Sequence, residues 1–212
     1  MPTPPLSEIL GAPQFRPHKA LGQHFLRDPD LLSRIVAAAA LPEGIHVIEI
    51  GAGPGGLTRA LLETRLASLT ALEPDARFVP VLEALAAEDA RLRVVPGDAR
   101  AYTPPQLCQA PRAVVGNLPY HVGTAIVLHY LRALHAMGPD CLQSMTVMLQ
   151  QEVAARFLAS PGSKAYGRLA IMRAWLCAGD ACLDVPAAAF TPPPKVTSTV
   201  IRLTPHTQPR FE

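Results

Sequence analysis

The amino-acid sequence predicts an α/β fold built on a mostly parallel β-sheet. Short apolar segments of strand length alternate with amphipathic segments of helical length from about residue 28 to residue 158. Polar residues follow four successive strands at the point where each strand ends. Strict alternation of this kind predicts helices on both faces of a parallel sheet, with all carboxyl ends of the strands at one edge.

The elements are predicted in chain order from hydrophobic periodicity and from residues that begin or end helices. Residues 1–20 are proline-rich and predict a loosely ordered N-terminal arm. Asp28 and Pro29 begin a helix, and Gly44 follows its end; its apolar face comprises Leu31, Leu32, Ile35, Val36 and Ala39. Strands are predicted at 46–50, 69–72, 92–95, 113–115 and 145–149, and helices at 57–66, 76–88, 122–135 and 152–158.

The C-terminal part has a different pattern and predicts two further strands, at 183–185 and 196–203. The second one alternates strictly between two sets of side chains. An antiparallel pair that closes a parallel sheet fits this pattern. The expected sheet therefore has seven strands, of which the last is antiparallel.

Composition limits the class of protein. The chain has 212 residues, of which 49% are hydrophobic and 17% charged, which fits one domain with a sizeable core. The net charge of +2 neither requires nor excludes nucleic acid. The cysteines form no CxxC pair and predict reduced core thiols and no metal site; they are Cys108, Cys141, Cys177 and Cys182. No signal peptide or membrane span is recognisable, so we expect a cytoplasmic protein.

A glycine-rich loop at residues 51–56 follows the first predicted strand of the sheet and satisfies G-x-G-x-x-G through Gly51, Gly53 and Gly56. Glycines at these places allow a tight turn and close approach of the backbone to a cofactor. Glu73, at the end of the next strand, is suited to bind two ribose hydroxyls. These features indicate a nicotinamide dinucleotide as much as S-adenosylmethionine.

Two acidic residues favour the methyl donor. Glu49 lies just before the loop, where a carboxylate suits a cationic sulfonium and amino group better than a pyrophosphate. Asp98, after the third strand of the sheet, can accept a hydrogen bond from an adenine amine. Helix N-capping is the alternative role for Glu73 or Asp98 taken singly.

The block Asn117-Leu118-Pro119-Tyr120 follows another buried strand and suits the binding of a flat base that bears an amine. The Asn117 side-chain oxygen and the carbonyl of Leu118 or Pro119 can accept both N–H bonds of an exocyclic amine. The ring of Tyr120 can cover one face of the base, and Phe190 is a candidate for the other face. A core position is the equally weighted alternative for Phe190.

Several segments together resemble the bacterial small-subunit (16S) ribosomal RNA adenine dimethyltransferases. The resemblance runs from about residue 16 to residue 205, and its motifs lie at 19–26, 47–53, 97–99, 116–120, 148–153, 163–169 and 189–196. It implies a Rossmann-like class I methyltransferase fold, with S-adenosylmethionine as cofactor. The implied acceptor is N6 of two adjacent adenosines near the 3′ end of 16S rRNA, which receive two methyl groups each.

The resemblance also implies roles for individual residues. His24 and Leu26 should lie against the methyl donor, and Gly51 should contact its methionine part. Glu73 should bind the ribose, and Asp98 the adenine ring. Asn117 should face the reacting end of the donor.

Basic residues near the N-terminus and in the later matching segments are candidates for RNA binding, with a solvated surface as the alternative for any single one. They are Arg16, Lys19, Lys164, Arg168 and Lys195. Such residues can neutralise phosphates and position RNA without reading its sequence.

The resemblance predicts a methyltransferase domain at 21–205 and a short tail at 206–212. Relatives carry a helical C-terminal domain after the last strand, so we expect that domain to be absent or truncated here. The expected partner is the precursor of the small ribosomal subunit, bound by a monomer. Rival functions are a large-subunit methyltransferase of the macrolide-resistance type, a nicotinamide-dependent oxidoreductase, and a ribosome-assembly factor with secondary methylation.

Overall fold

The fold is a seven-stranded sheet covered by helices on both faces, as seen in a computed structural model that describes residues 3–18 and 21–209. The strands of this sheet are β2 (His46–Ile50), β3 (Ser68–Glu73), β4 (Leu92–Pro96), β5 (Arg112–Asn117), β6 (Ser144–Gln150), β7 (Cys177–Val185) and β9 (Ser198–Pro205). Their spatial order is β4-β3-β2-β5-β6-β9-β7. The last strand, β9, is antiparallel to both of its neighbours, and the pairs among β2 to β6 are parallel, which confirms the predicted sheet.

The helices bury two separate apolar layers against the sheet. The helices of these layers are α2 (Pro29–Ala39), α3 (Gly56–Leu62), α4 (Val79–Glu88), α6 (Tyr120–Met137), α7 (Gln151–Leu158) and α8 (Arg168–Leu176), and α5 (Pro104–Leu107) is a short turn of helix. Alternate residues of one strand point to opposite layers. Val47 packs with the layer of α2, α3 and α4, whereas Ile48 packs with the layer of α6, α7 and α8.

The strand order places a crevice between β2 and β5. The chain proceeds from β2 through β3 to β4 on one side and continues with β5 and β6 on the other. Ligands of open α/β sheets bind where the order reverses in this way, outside the carboxyl ends of the strands. Ile50 pairs with Gly116 across the crevice, so Gly51 and Asn117 lie side by side where the two strands end.

The N-terminal part is more ordered than the sequence predicts. Residues Leu6–Gly11 form α1, in which Ile9 is buried. Phe15 then stacks on Phe78 with ring centroids 5.6 Å apart. The cause is tertiary packing, which composition does not reveal.

Two further features are absent from the prediction. A two-stranded sheet pairs β1 (Phe25–Leu26) with β8 (Phe190–Thr191), far apart in the chain. In addition, β7 begins at Cys177, whereas the sequence predicts a strand only from residue 183. The first half of β7 contains polar and small residues, which do not have the apolar pattern of a strand. This half is a strand because it pairs with β9.

The cysteines of the protein are free thiols, and burial raises the pKa of Cys177 to about 12. No helix in the described ranges combines the length and the apolar character that a bilayer crossing requires.

Candidate active site

A cavity of about 290 Å³ opens at the carboxyl ends of β2 to β5 and gathers most of the predicted site residues. They are His24, Gly51, Gly53, Glu73, Asp98, Asn117, Leu118, Pro119 and Tyr120. A smaller recess of about 40 Å³ adjoins it, and Leu26, Glu49 and Asn117 are among its lining residues. The structure therefore brings together the residues that the sequence assigned to four strand ends, and their roles in binding and catalysis stay predictions.

The glycine loop needs its glycines because of backbone conformation and space. Gly51, Gly53 and Gly55 have φ angles of +72°, +54° and +84°. Residues with a side chain adopt such backbone angles only at a cost in conformational energy. A Cβ atom on Gly53 would also lie 3.2 Å from the ring of Phe25. The Gly53 amide donates a hydrogen bond of 2.6 Å to Glu73 Oε2, so β3 fixes the shape of the loop.

Glu73 is buried, and its other oxygen accepts a hydrogen bond of 2.8 Å from the Asp75 amide. Burial raises the pKa of Glu73 to about 7, against the opposing effect of these two amides. A carboxylate has about four acceptor positions, so both oxygens retain room for ligand hydroxyls.

Glu49 is the most unusual charged residue of the site. It is only 1% exposed, and neither carboxylate oxygen has a hydrogen-bond partner within the described ranges. Burial raises the pKa of Glu49 to about 8, and the nearby Glu73 carboxylate acts in the same direction. Thr58 acts in the opposite direction, although neither Glu49 oxygen meets the geometry of a hydrogen bond. Since an unpartnered buried carboxylate is costly, burial favours the protonated form of Glu49 in the protein without a ligand. A cationic ligand group in the recess would favour the ionised form.

Asp98 lies at the edge of the cavity and caps a short helical turn. Its Oδ1 accepts a 2.8 Å hydrogen bond from the Arg100 amide, and its Oδ2 pairs with Arg100 Nη2 at 2.5 Å. The Arg100 side chain holds the pKa of Asp98 below its usual range. The capping alternative is therefore present, and it places the carboxylate in the cavity lining.

Asn117 has a fixed orientation. Its Nδ2 donates a hydrogen bond of 3.1 Å to the carbonyl of His24, which leaves Oδ1 as the acceptor of the side chain. The Pro119 carbonyl already accepts bonds from Val122 and Gly123 in the first turn of α6. The Leu118 carbonyl accepts no backbone hydrogen bond from the described residues, so of the two predicted carbonyl acceptors it is the available one.

The aromatic residues are arranged differently from the expected sandwich around a base. Tyr120 donates to or accepts from Ser198 Oγ at 2.7 Å, and its ring stacks on His24 with centroids 5.4 Å apart. His24 Nδ1 lies 2.7 Å from the Pro192 carbonyl. Phe190 is 3% exposed and lines neither cavity; it pairs with Leu26 between β1 and β8 and meets His24 edge-on. The structure favours the core alternative for Phe190.

Four of the five predicted RNA-binding residues are described by the structure, and all four lie at the surface. Arg16, Lys164, Arg168 and Lys195 are exposed, and Arg168 lines a second cavity away from the first. Lys19 lies outside the described residues. Their common role in RNA binding stays a prediction.

Sequence reasoning missed the contacts that hold the N-terminal part against the site. Arg77 donates to the carbonyls of Gln14 and Arg16 at 3.1 and 2.9 Å, and it pairs with Asp75. Gln23 donates to Asp75 Oδ2 at 2.8 Å. The hydrogen bonds of Arg77 are the first cause that lowers the pKa of Asp75 to about 2. The only feature of the local sequence that indicated these contacts was the position of Arg77, two residues after Asp75.

The sheet order, the glycine loop and the polar strand ends together define a class I methyltransferase fold. Comparison with known proteins identifies the group within this class. The chain matches the family described as ribosomal RNA adenine dimethylase over residues 14–212 and belongs to that family.

Among curated relatives, the ribosomal RNA small subunit methyltransferase A of a Ruegeria species is 45% identical over 209 residues, which are 98% of this chain and 74% of the relative. The protein of the same name from Caulobacter vibrioides is 48% identical over 188 residues, which are 88% of this chain and 70% of the relative.

Two solved structures are also similar. A dimethyladenosine transferase from Plasmodium falciparum has a TM-score of 0.74 and 29% identity, over 86% of this chain and 64% of that one. The 23S rRNA methyltransferase ErmE has a TM-score of 0.76 and 31% identity, over 89% of this chain and 72% of that one.

Proposed function

We propose that this protein transfers methyl groups from S-adenosylmethionine to N6 of two adjacent adenosines near the 3′ end of 16S rRNA. The products are N6,N6-dimethyladenosines formed during ribosome biogenesis. The observation that carries this proposal is the pairing of Ile50 with Gly116, which sets the glycine loop beside Asn117. A donor cavity and a group suited to grip an amine thereby share one crevice.

The residues around the crevice fit the donor. S-adenosylmethionine, when bound, supplies an activated methyl group on a cationic sulfonium. The unpartnered carboxylate of Glu49 suits the positive charges of the methionine part. Glu73 is suited to the ribose and Asp98 to the adenine amine, while Gly51 and Gly53 let the backbone approach. His24 and Leu26 flank this space.

The acceptor adenine needs to be held in place more than it needs a strong base. Its N6 lone pair is delocalised into the ring, and its proton can leave after attack. Asn117 Oδ1 and the Leu118 carbonyl accept the two N–H bonds, so the lone pair turns toward the methyl group. The carbonyl of Pro119 already accepts hydrogen bonds from two amides of α6, so it has no role as an acceptor for the amine in this proposal.

The ring of Tyr120 stacks on the target adenine after this base has left the base stack of the RNA. Base stacking on an aromatic ring contributes about 1–3 kcal/mol. One face of Tyr120 already meets His24, so the base uses the other face or takes the place of the His24 ring. The pocket is thus closed by the chain that precedes β1 as well as by α6.

The small-subunit substrate is favoured over the large-subunit alternative. The relatives named for the small subunit are 45% and 48% identical to this chain, whereas ErmE is 31% identical. Membership in the family also removes support for a nicotinamide-dependent oxidoreductase. We further propose that the protein acts as a cytoplasmic monomer on a precursor of the small subunit.

Labelled S-adenosylmethionine tests the proposal. It is offered with undermethylated small subunits and, separately, with large-subunit RNA. We expect label to appear as N6,N6-dimethyladenosine in 16S rRNA. Label found only in large-subunit RNA would refute the proposed substrate, and particle binding without any methylation would favour an assembly factor.

A further inference from the structure

A second cavity of about 370 Å³ lies away from the donor site, on the face of the molecule built by α6, α7 and α8. Three arginines line it, one from each helix: Arg132, Arg156 and Arg168. Leu128 and Met172 contribute apolar surface to its walls. Its volume is in the range of sites that hold small molecules or parts of larger ligands.

The three guanidinium groups have no carboxylate partner among the residues that the structure describes. Across residues 3–18 and 21–209, no carboxylate forms an ion pair with any of them within 4.0 Å. Other arginines of the chain, such as Arg77 and Arg91, do pair with neighbouring aspartates. Three like charges around one concavity repel each other, and an anion that binds between them relieves this repulsion.

The rim of the cavity adds features typical of nucleic-acid binding. Ala165 and Gly167 belong to the lining, and the residues beside them in the chain, Lys164 and Tyr166, are exposed. The Tyr166 side chain is 37% exposed, so its ring is accessible to a ligand at the surface. Basic side chains that follow a backbone, beside an aromatic ring for stacking, characterise sites for single-stranded nucleic acid.

Arginine suits phosphate because its planar fork donates two parallel hydrogen bonds. The net charge of the chain is only +2, so this concentration of positive charge is local. The N-terminus of α8, which has no side-chain cap, opens beside the same arginines and adds partial positive charge.

The cavity is too far from the donor site to affect the donor directly. Arg132 and Tyr120 lie on the same helix, α6, and a rise of about 1.5 Å per residue separates them by about 18 Å. This exceeds the Debye length of about 8 Å at physiological ionic strength. Charges in this cavity therefore act on a ligand that reaches across the surface.

We infer that Arg132, Arg156 and Arg168 bind the phosphodiester backbone of the rRNA whose adenosine enters the active site. The inference rests on the proposed function for the identity of the RNA. It assigns to this helical face a second contact that anchors the substrate without reading its sequence.

Binding of protein-free 16S rRNA at several salt concentrations tests the inference without any need for methylation. The test variant is Arg132→Gln/Arg156→Gln, and the matched control is Arg34→Gln/Arg65→Gln. Arg34 is an exposed residue of α2, and Arg65 forms an exposed ion pair with Glu43, so the control removes the same charge from elsewhere.

We expect the slope of log affinity against log salt to become shallower by about 0.7–0.9 for each lost phosphate contact in the test variant. The control should retain the wild-type slope. The variant Arg132→Lys/Arg156→Lys, which keeps the charge, should recover most of the slope. Donor affinity measured by calorimetry should be unchanged in all variants, and this also shows that they are folded.

Equal slopes for the test and control variants would overturn the inference. So would weaker binding to intact subunits combined with normal binding to protein-free RNA, since that result would assign the arginines to a ribosomal protein. Failure of the proposed function is distinguishable, because the wild-type protein would then bind RNA with the expected slope but methylate no small subunit.

Discussion

On one side of the β2–β5 crevice the strand ends carry carboxylates, and on the other side they carry neutral amides. Glu49 and Glu73 belong to β2 and β3, and Asp98 follows β4 by two residues. Asn117 and Gln150 are the last residues of β5 and β6. The proposed function relates this difference to the two ligands. The methyl donor carries permanent positive charge, but the adenine amine is neutral and becomes positive only during transfer. In this proposal, carboxyl groups that can ionise stabilise the donor, and oriented neutral acceptors bind the amine.

The largest expected effect on activity comes from the side of the crevice that carries neutral amides. Asn117→Ala removes the acceptor for the amine, and loss of one such preorganised group costs about 10²–10³ in kcat. Donor affinity should change little, because the carboxylates remain in place. Single-turnover methylation and calorimetry with S-adenosylmethionine measure the two quantities. An equal loss in both would contradict the division of the crevice into donor and acceptor sides.

The next largest effect concerns donor affinity and comes from the side of the crevice that carries carboxyl groups. Glu49→Gln keeps the shape of the recess but removes the carboxyl group, whose burial raises its pKa to about 8 and which a cationic donor would hold in its ionised form. A hydrogen bond to a charged group contributes about 1.5–3 kcal/mol, so donor affinity should fall by about 10-fold to 150-fold. Calorimetry checks the affinity. Glu43→Gln, which changes an exposed carboxylate outside the site, is the control and should bind the donor normally.

The pH dependence of stability should report the same carboxylates in the protein without donor. Burial raises the pKa of Glu49 to about 8 and that of Glu73 to about 7, from 4.5. The folded state then binds more protons than the unfolded state between pH 4.5 and these values. Unfolding free energy should consequently fall as pH rises through this window, by up to about 1.4 kcal/mol per pH unit for each group.

Urea unfolding from pH 5 to pH 8 measures this slope, and Glu49→Gln should make it shallower. The same variant should gain stability at pH 8 while it loses donor affinity. A slope that Glu49→Gln leaves unaltered would mean that burial does not raise the pKa of Glu49.

The smallest expected effect concerns Asp98, the most exposed of the three carboxylates. The Arg100 side chain donates hydrogen bonds to both Asp98 oxygens, and Arg100→Ala removes these bonds. The backbone amide of residue 100 still donates to Oδ1, so the substitution mainly frees Oδ2 for the donor adenine. Exposed ion pairs contribute about 0–1 kcal/mol, so donor affinity should increase by at most about fivefold. Calorimetry at low and high salt measures this change. Weaker binding in Arg100→Ala would instead make the guanidinium part of the donor site.

The sequence alone determined the features that depend on local pattern. Hydrophobic periodicity predicted the order of strands and helices along the chain, and the G-x-G-x-x-G motif of Gly51, Gly53 and Gly56 marked a tight turn. The structure then shows positive φ angles at Gly51, Gly53 and Gly55. Because the carboxyl ends of parallel strands lie at one edge of the sheet, the sequence alone predicts that Glu73, Asp98 and Asn117 belong to one site.

Tertiary structure decided what depends on contacts between distant segments. The pairing of Leu26 with Phe190 turns a candidate base-stacking residue into a core residue. The first turn of α6 occupies the Pro119 carbonyl and leaves that of Leu118 available. Arg132, Arg156 and Arg168 come from three helices and meet only after those helices pack. Periodicity in the sequence reports which side of an element is buried, whereas partners across the fold are fixed only when the elements pack together.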